Sequence, residues 1–283
     1  MDISNAIIEA FMIKLNKKTK IAILNTGWLG AQLATVLQNQ DILLNLGYRQ
    51  LPKKDPFGFQ ICVSKEGIEG DIVTFLNVDT CVITLPFKRS FVDPFDYVSW
   101  IDKVASALET SPVKHVLFSS STSIYPKVAG HYKETDALAQ DERANALREA
   151  EMRLLSLNKQ VCVLRLAGLW GADRKLTRML EHQPILHPQK NLNLVHKDDV
   201  VSAILWVLAK QLTGVFNVVS PRHPTRKAYY ETLASHLNVK HPVFDETYEA
   251  SDARTINPDA FIKTGFSYLY PDPLCFFNSK RFS

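Results

Sequence analysis

The chain has 283 residues, of which 46% are hydrophobic and 22% charged, values typical of a globular protein and not of a disordered, collagen-like or membrane chain. That length accommodates one large domain and one smaller one. The 33 basic and 29 acidic side chains leave a net charge of +4, and the basic residues are scattered without a long stripe, so we expect no nucleic-acid partner.

Residues 1–19 carry an apolar run that Glu9 interrupts and that lysines follow, a pattern unlike a signal peptide. We expect a short added helix or a loose tail there. No window reaches the ~18 uninterrupted apolar residues of a membrane span. The four cysteines are far apart and lack CxxC spacing, which favours free thiols in a reducing compartment. We therefore expect a cytoplasmic protein with no membrane partner.

Short β-branched runs alternate with helical segments from residue 20 onward, which predicts right-handed βαβ crossovers and a parallel sheet. The predicted strands are 20–24, 41–46, 60–64, 80–85, 114–119, 160–166 and 214–220, and the predicted helices are 31–37, 95–108, 137–157 and 198–210. Four of the strands are almost entirely apolar, as expected when helices cover both faces of the sheet. The predicted fold class is α/β, a Rossmann-like doubly wound parallel sheet with a smaller C-terminal α/β lobe.

The sequence changes character after residue 220, where it becomes richer in Pro, Tyr and charged residues. This change divides the chain into an N-terminal extension at 1–19, a dinucleotide-binding domain at 20–220 and a small substrate-binding lobe at 221–283. We assign an insertion near 172–192 to that lobe. Its basic residues Arg174, Lys175 and Arg178 are either a site for an anionic substrate or, as we favour, a solvated face.

A glycine turn follows the first predicted strand directly and precedes a helix. Glycines at this point of a βαβ unit let the backbone approach a pyrophosphate, whose charge the helix N-terminus stabilises. The pattern departs from G-x-G-x-x-G at Asn25, and from its T-G-x-x-G-x-x-G variant at Leu33. The alternative is a turn that merely connects strand and helix. The residues assigned to the cofactor are Thr26, Gly27, Trp28, Leu29 and Gly30.

Arg49 follows the second predicted strand, where NAD-binding proteins place an acidic residue against the ribose hydroxyls. A guanidinium at this point can clamp an adenosine 2′-phosphate, which favours NADP over NAD as the cofactor. The alternative is an ordinary exposed arginine. We also assign Leu85, at the end of the strand predicted over 80–85, to the cofactor site.

Four segments of the chain stand out in order and spacing: TGWLG at 26–30, FSSSTSIY at 118–125, LRLAGLWG at 164–171 and NLVHKDDV at 193–200. In these segments the chain resembles the extended short-chain dehydrogenases/reductases, also called NAD-dependent epimerase/dehydratases. The segment TGFSYLYPDPL at 264–274 is most similar to an atypical YeeZ-like subgroup. The resemblance covers residues 20–275 and implies a Rossmann fold and a nicotinamide cofactor.

In this family a tyrosine exchanges a proton with the substrate, a lysine four residues later lowers its pKa, and a serine orients the substrate oxygen. Ser121 matches the serine. No lysine of the chain has a tyrosine four residues before it. At the expected place, Arg143 or Ala144 replaces the tyrosine, and Leu147 or Arg148 replaces the lysine.

Tyr125 and His131 lie just past Ser121 and are candidates for a displaced acid/base, although a tyrosine at this strand end is more often a packing residue. We assign Ser121 and Tyr125 to catalysis. Gly168 stands where sugar-nucleotide enzymes of the family often carry an asparagine, which argues against epimerisation of UDP-sugars. His196, Asp198 and Asp199 resemble a metal or acid/base cluster. We favour instead an aspartate that caps the following helix, and we expect no metal.

Two functions remain compatible with these departures from the family's residue pattern. The first is an NAD(P)-dependent oxidoreductase or epimerase-like enzyme that acts on an unknown small molecule. The second is a sensor or scaffold that binds the cofactor without turnover. The missing tyrosine and lysine favour the second function, and the retained Ser121 favours the first. We leave open whether the chain forms a homodimer.

Overall fold

The computed structural model describes residues 15, 18–52, 58–87, 93–136, 138–171, 180, 184–247 and 253–275. The strands in chain order are β1 (Lys20–Leu24), β2 (Leu43–Tyr48), β3 (Phe59–Gln60), β4 (Cys62–Val63), β5 (Ile68–Glu69), β6 (Thr80–Ile83), β7 (His115–Ser121), β8 (Gly130–Tyr132), β9 (Gln160–Leu166), β10 (Gly168–Trp170), β11 (Ile185–Leu186), β12 (Leu194–His196), β13 (Gly214–Val218), β14 (Phe244–Asp245) and β15 (Arg254–Ile256).

The helices begin and end at local signals in the sequence. Asp141 accepts the amide of Ala144 at 3.0 Å and begins one long helix, while Thr225 does the same for Ala228 at 3.2 Å. Asn238 ends the latter helix in the left-handed conformation, with φ 52°. The helices are α1 (Trp28–Gln38), α2 (Ile72–Phe75), α3 (Phe95–Glu109), α4 (Glu142–Leu155), α5 (Lys197–Lys210), α6 (Arg226–Leu237) and α7 (Asp259–Ile262).

The largest sheet has seven strands in the order β13-β9-β7-β6-β1-β2-β3. β1 pairs in parallel with β2 and with β6, and β6 pairs in parallel with β7. From β1 the chain first builds outward through β2 and β3, and it then returns to build in the other direction from β6. The order therefore reverses between β1 and β6, which is the point where open α/β sheets bind ligands at the carboxyl ends of their strands. The predicted α/β Rossmann-like fold is confirmed.

Two of the predicted strands differ from the observed ones for local reasons. The strand predicted over 41–46 begins at Leu43, because Asp41 has a φ of 58° and cannot extend the strand. The strand predicted over 60–64 is split: β3 pairs with β2 in the large sheet, whereas β4 forms a hairpin with β5. An apolar run alone does not reveal such a change of partner.

The chain divides into two compact units. The first comprises Met1–Ile124, Gln140–Arg165 and Val201–Phe216, and the second comprises Tyr125–Ala139, Leu166–Val200 and Asn217–Ser283. The second unit therefore draws on three separate segments. From the sequence we divided the chain at residue 220 and assigned an insertion near 172–192 to the second lobe. Strand pairing within that unit joins these segments: β10 pairs with β12, and β8 pairs with β15. Most of the predicted insertion, with its three basic residues, and most of residues 1–19 lie outside the described residues.

A buried aromatic cluster forms part of the second unit's core. It contains Trp170, Tyr229 and Tyr230 with Ile185 and Leu233. In the part of the chain that the structure describes, no helix combines the length and the apolar character that crossing a membrane requires.

Candidate functional site

The carboxyl ends of β1, β2 and β6 form the candidate site of the first unit. The register pairs Leu24 with both Gly47 and Ile83, so these three strands end side by side. The glycine turn, Arg49 and Leu85 each follow one of these strand ends within two residues. The fold therefore brings the predicted cofactor residues to one edge of the sheet, at the point where the strand order reverses.

The turn after β1 begins with a residue in the left-handed conformation, although that residue is not glycine. Asn25 has a φ of 71°, the left-handed conformation that glycine adopts most easily and that asparagine tolerates better than most residues. The amide of Thr26 donates to the carbonyl oxygen of Gly47 at 2.7 Å, which ties the turn to β2. Asn25 thus performs the conformational role of the missing glycine.

Thr84 fastens this turn from the neighbouring strand, and the sequence analysis missed it. Its hydroxyl donates to the carbonyl oxygen of Asn25 at 2.7 Å, and the Asn25 amide group donates to the carbonyl oxygen of Thr84 at 2.9 Å. The backbone amide of Thr84 also donates to Leu24 at 3.1 Å. These reciprocal bonds fix the turn at the point where the strand order reverses. The available signal was a polar β-branched residue directly after the apolar run at 81–83.

The surroundings of Gly27 and Gly30 leave different amounts of space for a side chain. A Cβ atom on Gly30 would lie 2.8 Å from the carbonyl oxygen of Asn25, so the packing of α1 on the turn requires glycine there. A Cβ atom on Gly27 would meet nothing nearer than Asn25 Nδ2 at 3.4 Å, an ordinary contact. The chain itself therefore does not require glycine at position 27. Leu33, the other departure from the motif, is fully buried in the core.

The N-terminus of α1 has no side-chain cap. Gly27 occupies the N-cap position without a capping hydrogen bond, and the first turn contains no acidic residue. The amides of Leu29 and Gly30 lie in that first turn, where no carbonyl four residues earlier belongs to the helix. Such amides and the positive end of the helix dipole attract anions. The local chemistry fits a phosphate group.

Arg49 lies directly beyond β2 and is exposed, and its carbonyl oxygen accepts a hydrogen bond from the thiol of Cys62 at 3.4 Å. Between residues 43 and 52, all of which the structure describes, no side chain is acidic. Leu85 is buried, and its carbonyl oxygen accepts from the hydroxyl of Tyr97 at 3.0 Å. Burial raises the pKa of that tyrosine well above its usual value, so the hydroxyl keeps the proton that it donates.

Ser121 ends β7, in the first unit. Its hydroxyl donates to Ser123 Oγ at 2.9 Å and accepts from the Ser123 amide at 3.1 Å. These bonds hold the chain in a tight turn as it enters a 3-10 helix at Thr122–Ile124. The predicted catalytic serine is therefore half-buried at a strand end, with its hydroxyl orientation set by local partners.

A buried ionic network lies next to Ser121 and was not predicted. Glu151 of α4 receives two hydrogen bonds from Arg165 Nε at 3.2 Å and one from its Nη2 at 2.8 Å. The hydroxyl of Ser120 donates to the same carboxylate at 2.5 Å. Both charged side chains are buried. The network joins β7, β9 and α4, the helix in which the resemblance placed the expected tyrosine and lysine.

The positions of α4 that were expected to carry the tyrosine and the lysine contain no acid/base pair. Ala144 and Leu147 are buried, and Arg148 is exposed. Arg143 donates to the carbonyl oxygen of Phe87 at 2.9 Å, and its guanidinium carbon lies 4.0 Å from the centroid of the Phe87 ring. A permanently charged guanidinium cannot exchange a proton near neutral pH.

Tyr125 belongs to the second unit and is fully buried. Its hydroxyl donates to Asn217 Oδ1 at 2.8 Å, and its ring lies 5.8 Å from that of Tyr132. The backbone amide of Asn217 in turn donates to Glu134 Oε1 at 2.7 Å. These contacts fit the packing alternative for Tyr125. His131 is exposed on β8 and contacts the hydroxyl of Thr255 on β15.

Asp199 binds the C-terminal segment and does not cap its own helix. Its carboxylate accepts the amides of Leu269 at 2.6 Å and Tyr270 at 3.1 Å. Burial, together with the charge of Asp198, raises its pKa to about 7, while the hydrogen bonds from the Leu269 and Tyr270 amides act in the opposite direction. His196 Nδ1 lies 3.4 Å from Asp198 Oδ2, and the described residues contain no group of three metal-binding side chains. Asp199 thus anchors the segment at Leu269 and Tyr270.

Gly168 begins β10; it stands where the resemblance led us to look for the asparagine of sugar-nucleotide enzymes. Its amide donates to the carbonyl oxygen of Asn193 at 3.0 Å, and a Cβ atom would lie 3.0 Å from that same oxygen. The close approach of these two backbone segments favours glycine at this position.

No protein-family model matches the chain. Its sequence is 29% identical to the protein YeeZ of Escherichia coli strain K12 over 273 residues, which cover 90% of this chain and 97% of YeeZ.

Solved structures with the same fold include the human epimerase family protein SDR39U1 with NADPH, with a TM-score of 0.70 and 14% identity over 91% of this chain and 97% of that one. A UDP-N-acetylglucosamine 4-epimerase from Bacillus cereus has a TM-score of 0.73 and 16% identity, over 93% and 100% of the two chains. A short-chain dehydrogenase/reductase superfamily protein from Agrobacterium tumefaciens with bound NAD has a TM-score of 0.74 and 14% identity, over 90% and 94%. The chain is therefore similar in sequence to YeeZ and shares the fold of these solved epimerase and short-chain dehydrogenase/reductase structures.

Proposed function

We propose that the chain binds a nicotinamide dinucleotide at the carboxyl edge of the large sheet. The observation that carries this proposal is the uncapped N-terminus of α1, which follows a turn fastened by Asn25 and Thr84 where the strand order reverses. The amides of Leu29 and Gly30 would hold the pyrophosphate, and the free space at Gly27 allows its close approach.

We propose further that NADP(H) binds more tightly than NAD(H). The exposed guanidinium of Arg49 directly after β2 supports this preference, because it offers a bidentate partner for a 2′-phosphate. The absence of acidic side chains from residues 43–52, all described, also supports it. A carboxylate there would bind the free ribose hydroxyls of NAD and repel the phosphate.

A calorimetric titration with NAD, NADH, NADP and NADPH tests both proposals. We expect NADPH to bind at least about tenfold more tightly than NADH, and Arg49→Ala to abolish this difference. Arg222→Ala, which removes an exposed arginine of the second unit, is the matched control and should leave both affinities unchanged. Equal affinities for NADPH and NADH in the unmodified protein would contradict the role of Arg49, and no heat with any of the four nucleotides would contradict the site.

The reaction that this site supports is an oxidoreductase or epimerase-type reaction on a small molecule. The bound nicotinamide would supply a hydride donor or acceptor. Ser121 would hold the substrate oxygen by hydrogen bonding. The residues at the positions expected for the tyrosine and lysine, Arg143 or Ala144 and Leu147 or Arg148, do not exchange a proton near neutral pH. The Tyr125 hydroxyl is already bonded to Asn217. We therefore propose little turnover of the standard substrates of the family.

A second function, a cofactor-binding sensor or scaffold without turnover, is favoured by one specific observation. Arg143 occupies the start of α4 and is held by the carbonyl oxygen and ring of Phe87. It links that helix to the chain beyond β6 by contacts that stabilise a loop and move no proton. Such an arrangement preserves the edge of the sheet where we propose that the cofactor binds, without supplying a residue that transfers a proton.

Turnover measurements distinguish the two functions. The protein is supplied with NADP and a panel of alcohols, and with NADPH and carbonyl or nucleotide-sugar substrates, while nicotinamide absorbance and products are followed. Rates of ~1 to 1,000 per second would show an enzyme with another proton carrier. Ser121→Ala should then lower kcat. NADPH binding without any turnover across the panel supports the sensor or scaffold.

We propose an unidentified small molecule as substrate or effector, and neither nucleic acid nor membrane as partner. The described cysteines are free, which supports a reducing compartment such as the cytoplasm. Light scattering of the purified protein would decide between a monomer and a homodimer.

A further inference from the structure

Residues 84–87 follow β6 and form one side of the candidate site in the first unit. Leu85, which we assign to the cofactor, is buried, Pro86 is exposed and Phe87 is half-buried. Pro86 has no backbone N–H group and cannot extend the hydrogen-bonded ladder of a strand, so the chain leaves the sheet here. Side chains from other elements must therefore hold this stretch in place.

Two helices of the first unit provide these side chains. The hydroxyl of Tyr97 on α3 donates to the carbonyl oxygen of Leu85 at 3.0 Å, and Arg143 Nη2 on α4 donates to the carbonyl oxygen of Phe87 at 2.9 Å. The Phe87 ring contacts both side chains: its centroid lies 4.8 Å from that of the Tyr97 ring and 4.0 Å from the guanidinium carbon of Arg143. Each helix thus makes one hydrogen bond and one ring contact with residues 84–87.

The charge of Arg143 strengthens its hold on this stretch. A guanidinium stays protonated at neutral pH, and its attraction to the face of an aromatic ring adds to its hydrogen bond with the carbonyl oxygen. The same charge is felt at Tyr97: burial and the charge of Glu151 raise the pKa of that tyrosine, whereas the charge of Arg143 lowers it. Arg143 and Tyr97 therefore act together on one short piece of chain.

The strand order assigns the two halves of a dinucleotide to different strand ends. Arg49 follows β2 and residues 84–87 follow β6, and β1 lies between these two strands. The N-terminus of α1, where the pyrophosphate is proposed to bind, follows β1. A dinucleotide with its 2′-phosphate at Arg49 and its pyrophosphate at α1 therefore has its nicotinamide half at the end of β6.

We propose that Arg143 is a positioning residue for the nicotinamide half of the cofactor. It occupies one of the two positions at which the resemblance placed a catalytic tyrosine, yet it acts through Leu85 and Phe87 and not on the reacting atoms. Because Arg143 holds residues 84–87 before the cofactor arrives, binding does not have to order them. This role rests on the proposed cofactor site.

NADPH and adenosine 2′,5′-bisphosphate separate this role from binding of the adenosine half. The bisphosphate carries the adenosine and its 2′-phosphate but no nicotinamide, and each compound is titrated calorimetrically into the protein. We expect Arg143→Met to weaken NADPH binding at least about tenfold and to change that of the bisphosphate less than about twofold. Arg143→Lys keeps a cation and a donor and should recover most of the NADPH affinity. Arg49→Ala should weaken both compounds.

Two further variants provide the controls. Lys114→Met removes an exposed basic side chain directly before β7, at the opposite edge of the sheet, and should change neither affinity. Phe87→Leu removes the ring that Arg143 contacts and should reproduce the loss for NADPH, including where Arg143→Met does not fold. An unchanged NADPH affinity in both variants, or an equal loss for both compounds, would overturn the role of Arg143 and leave the cofactor site standing. Failure of both compounds to bind the unmodified protein would refute the site and this role with it.

Discussion

Substituting Gly27 and Gly30 one at a time by alanine should separate ligand binding from folding. In Gly30→Ala the new methyl group would lie 2.8 Å from the carbonyl oxygen of Asn25 and 3.2 Å from both Ile23 Cγ2 and Thr84 Oγ1. Overpacking of this kind lowers the free energy of unfolding by ~1–3 kcal/mol, and the higher helix propensity of alanine offsets about 1 kcal/mol of that loss. We expect a net loss of about 1 kcal/mol in the free energy of unfolding.

In Gly27→Ala the nearest atom is Asn25 Nδ2 at 3.4 Å, so nothing has to move. Alanine is a poorer N-cap than glycine by up to ~1 kcal/mol, but it reduces the entropy of the unfolded chain by a similar amount. The stability should change little. The methyl group occupies the space through which the pyrophosphate would approach, so Kd for NADPH should rise at least tenfold, or about 1.4 kcal/mol.

Urea denaturation and calorimetric titration with NADPH measure the two effects on each variant. The expected pattern is a loss of affinity with unchanged stability in Gly27→Ala, and a loss of stability in Gly30→Ala. Gly27→Val, with a larger side chain at the same position, should lose more affinity still. An unchanged Kd in both position-27 variants would refute the proposed approach of the phosphates to this turn.

Three further predictions concern the residues around the site. Glu151→Gln leaves the buried Arg165 without its carboxylate and should lower the free energy of unfolding by ~3–5 kcal/mol in urea denaturation; a loss under ~1 kcal/mol would contradict the importance of this pair. Because the pKa of Asp199 is raised to about 7, its contribution to stability is fully present below its usual pKa near 4 and is lost as the pH rises through 7. The melting temperature of the unmodified protein relative to Asp199→Asn should therefore fall between pH 5 and pH 8, and a constant difference would show that this carboxyl does not titrate there. Tyr125→Phe leaves Asn217 without its donor and should cost about 1 kcal/mol of stability while NADPH affinity stays the same. A fall in turnover without a fall in stability would restore the catalytic assignment of Tyr125.

The turn at Asn25 shows how much local sequence determined. The strand before it, the helix after it and the position of the turn all follow from patterns within about 20 residues, since strand and helix periodicities are local. Asn25 was read as a departure from the glycine motif. Its left-handed φ shows that asparagine meets the same conformational need. The sequence also reveals directly that no tyrosine precedes a lysine by four residues.

Only the tertiary structure decided how side chains distant in sequence meet. Thr84 fastens a turn 59 residues earlier, and Tyr125 bonds to Asn217, 92 residues later. One aspartate of the pair Asp198 and Asp199 was predicted to cap the following helix, because capping is a local preference. The carboxylate of Asp199 binds amides 70 and 71 residues away, which no local pattern indicates. Each of these polar groups is satisfied by whichever partner the folded chain buries beside it. That partner depends on strand order and register, which the periodicity of a single segment does not encode.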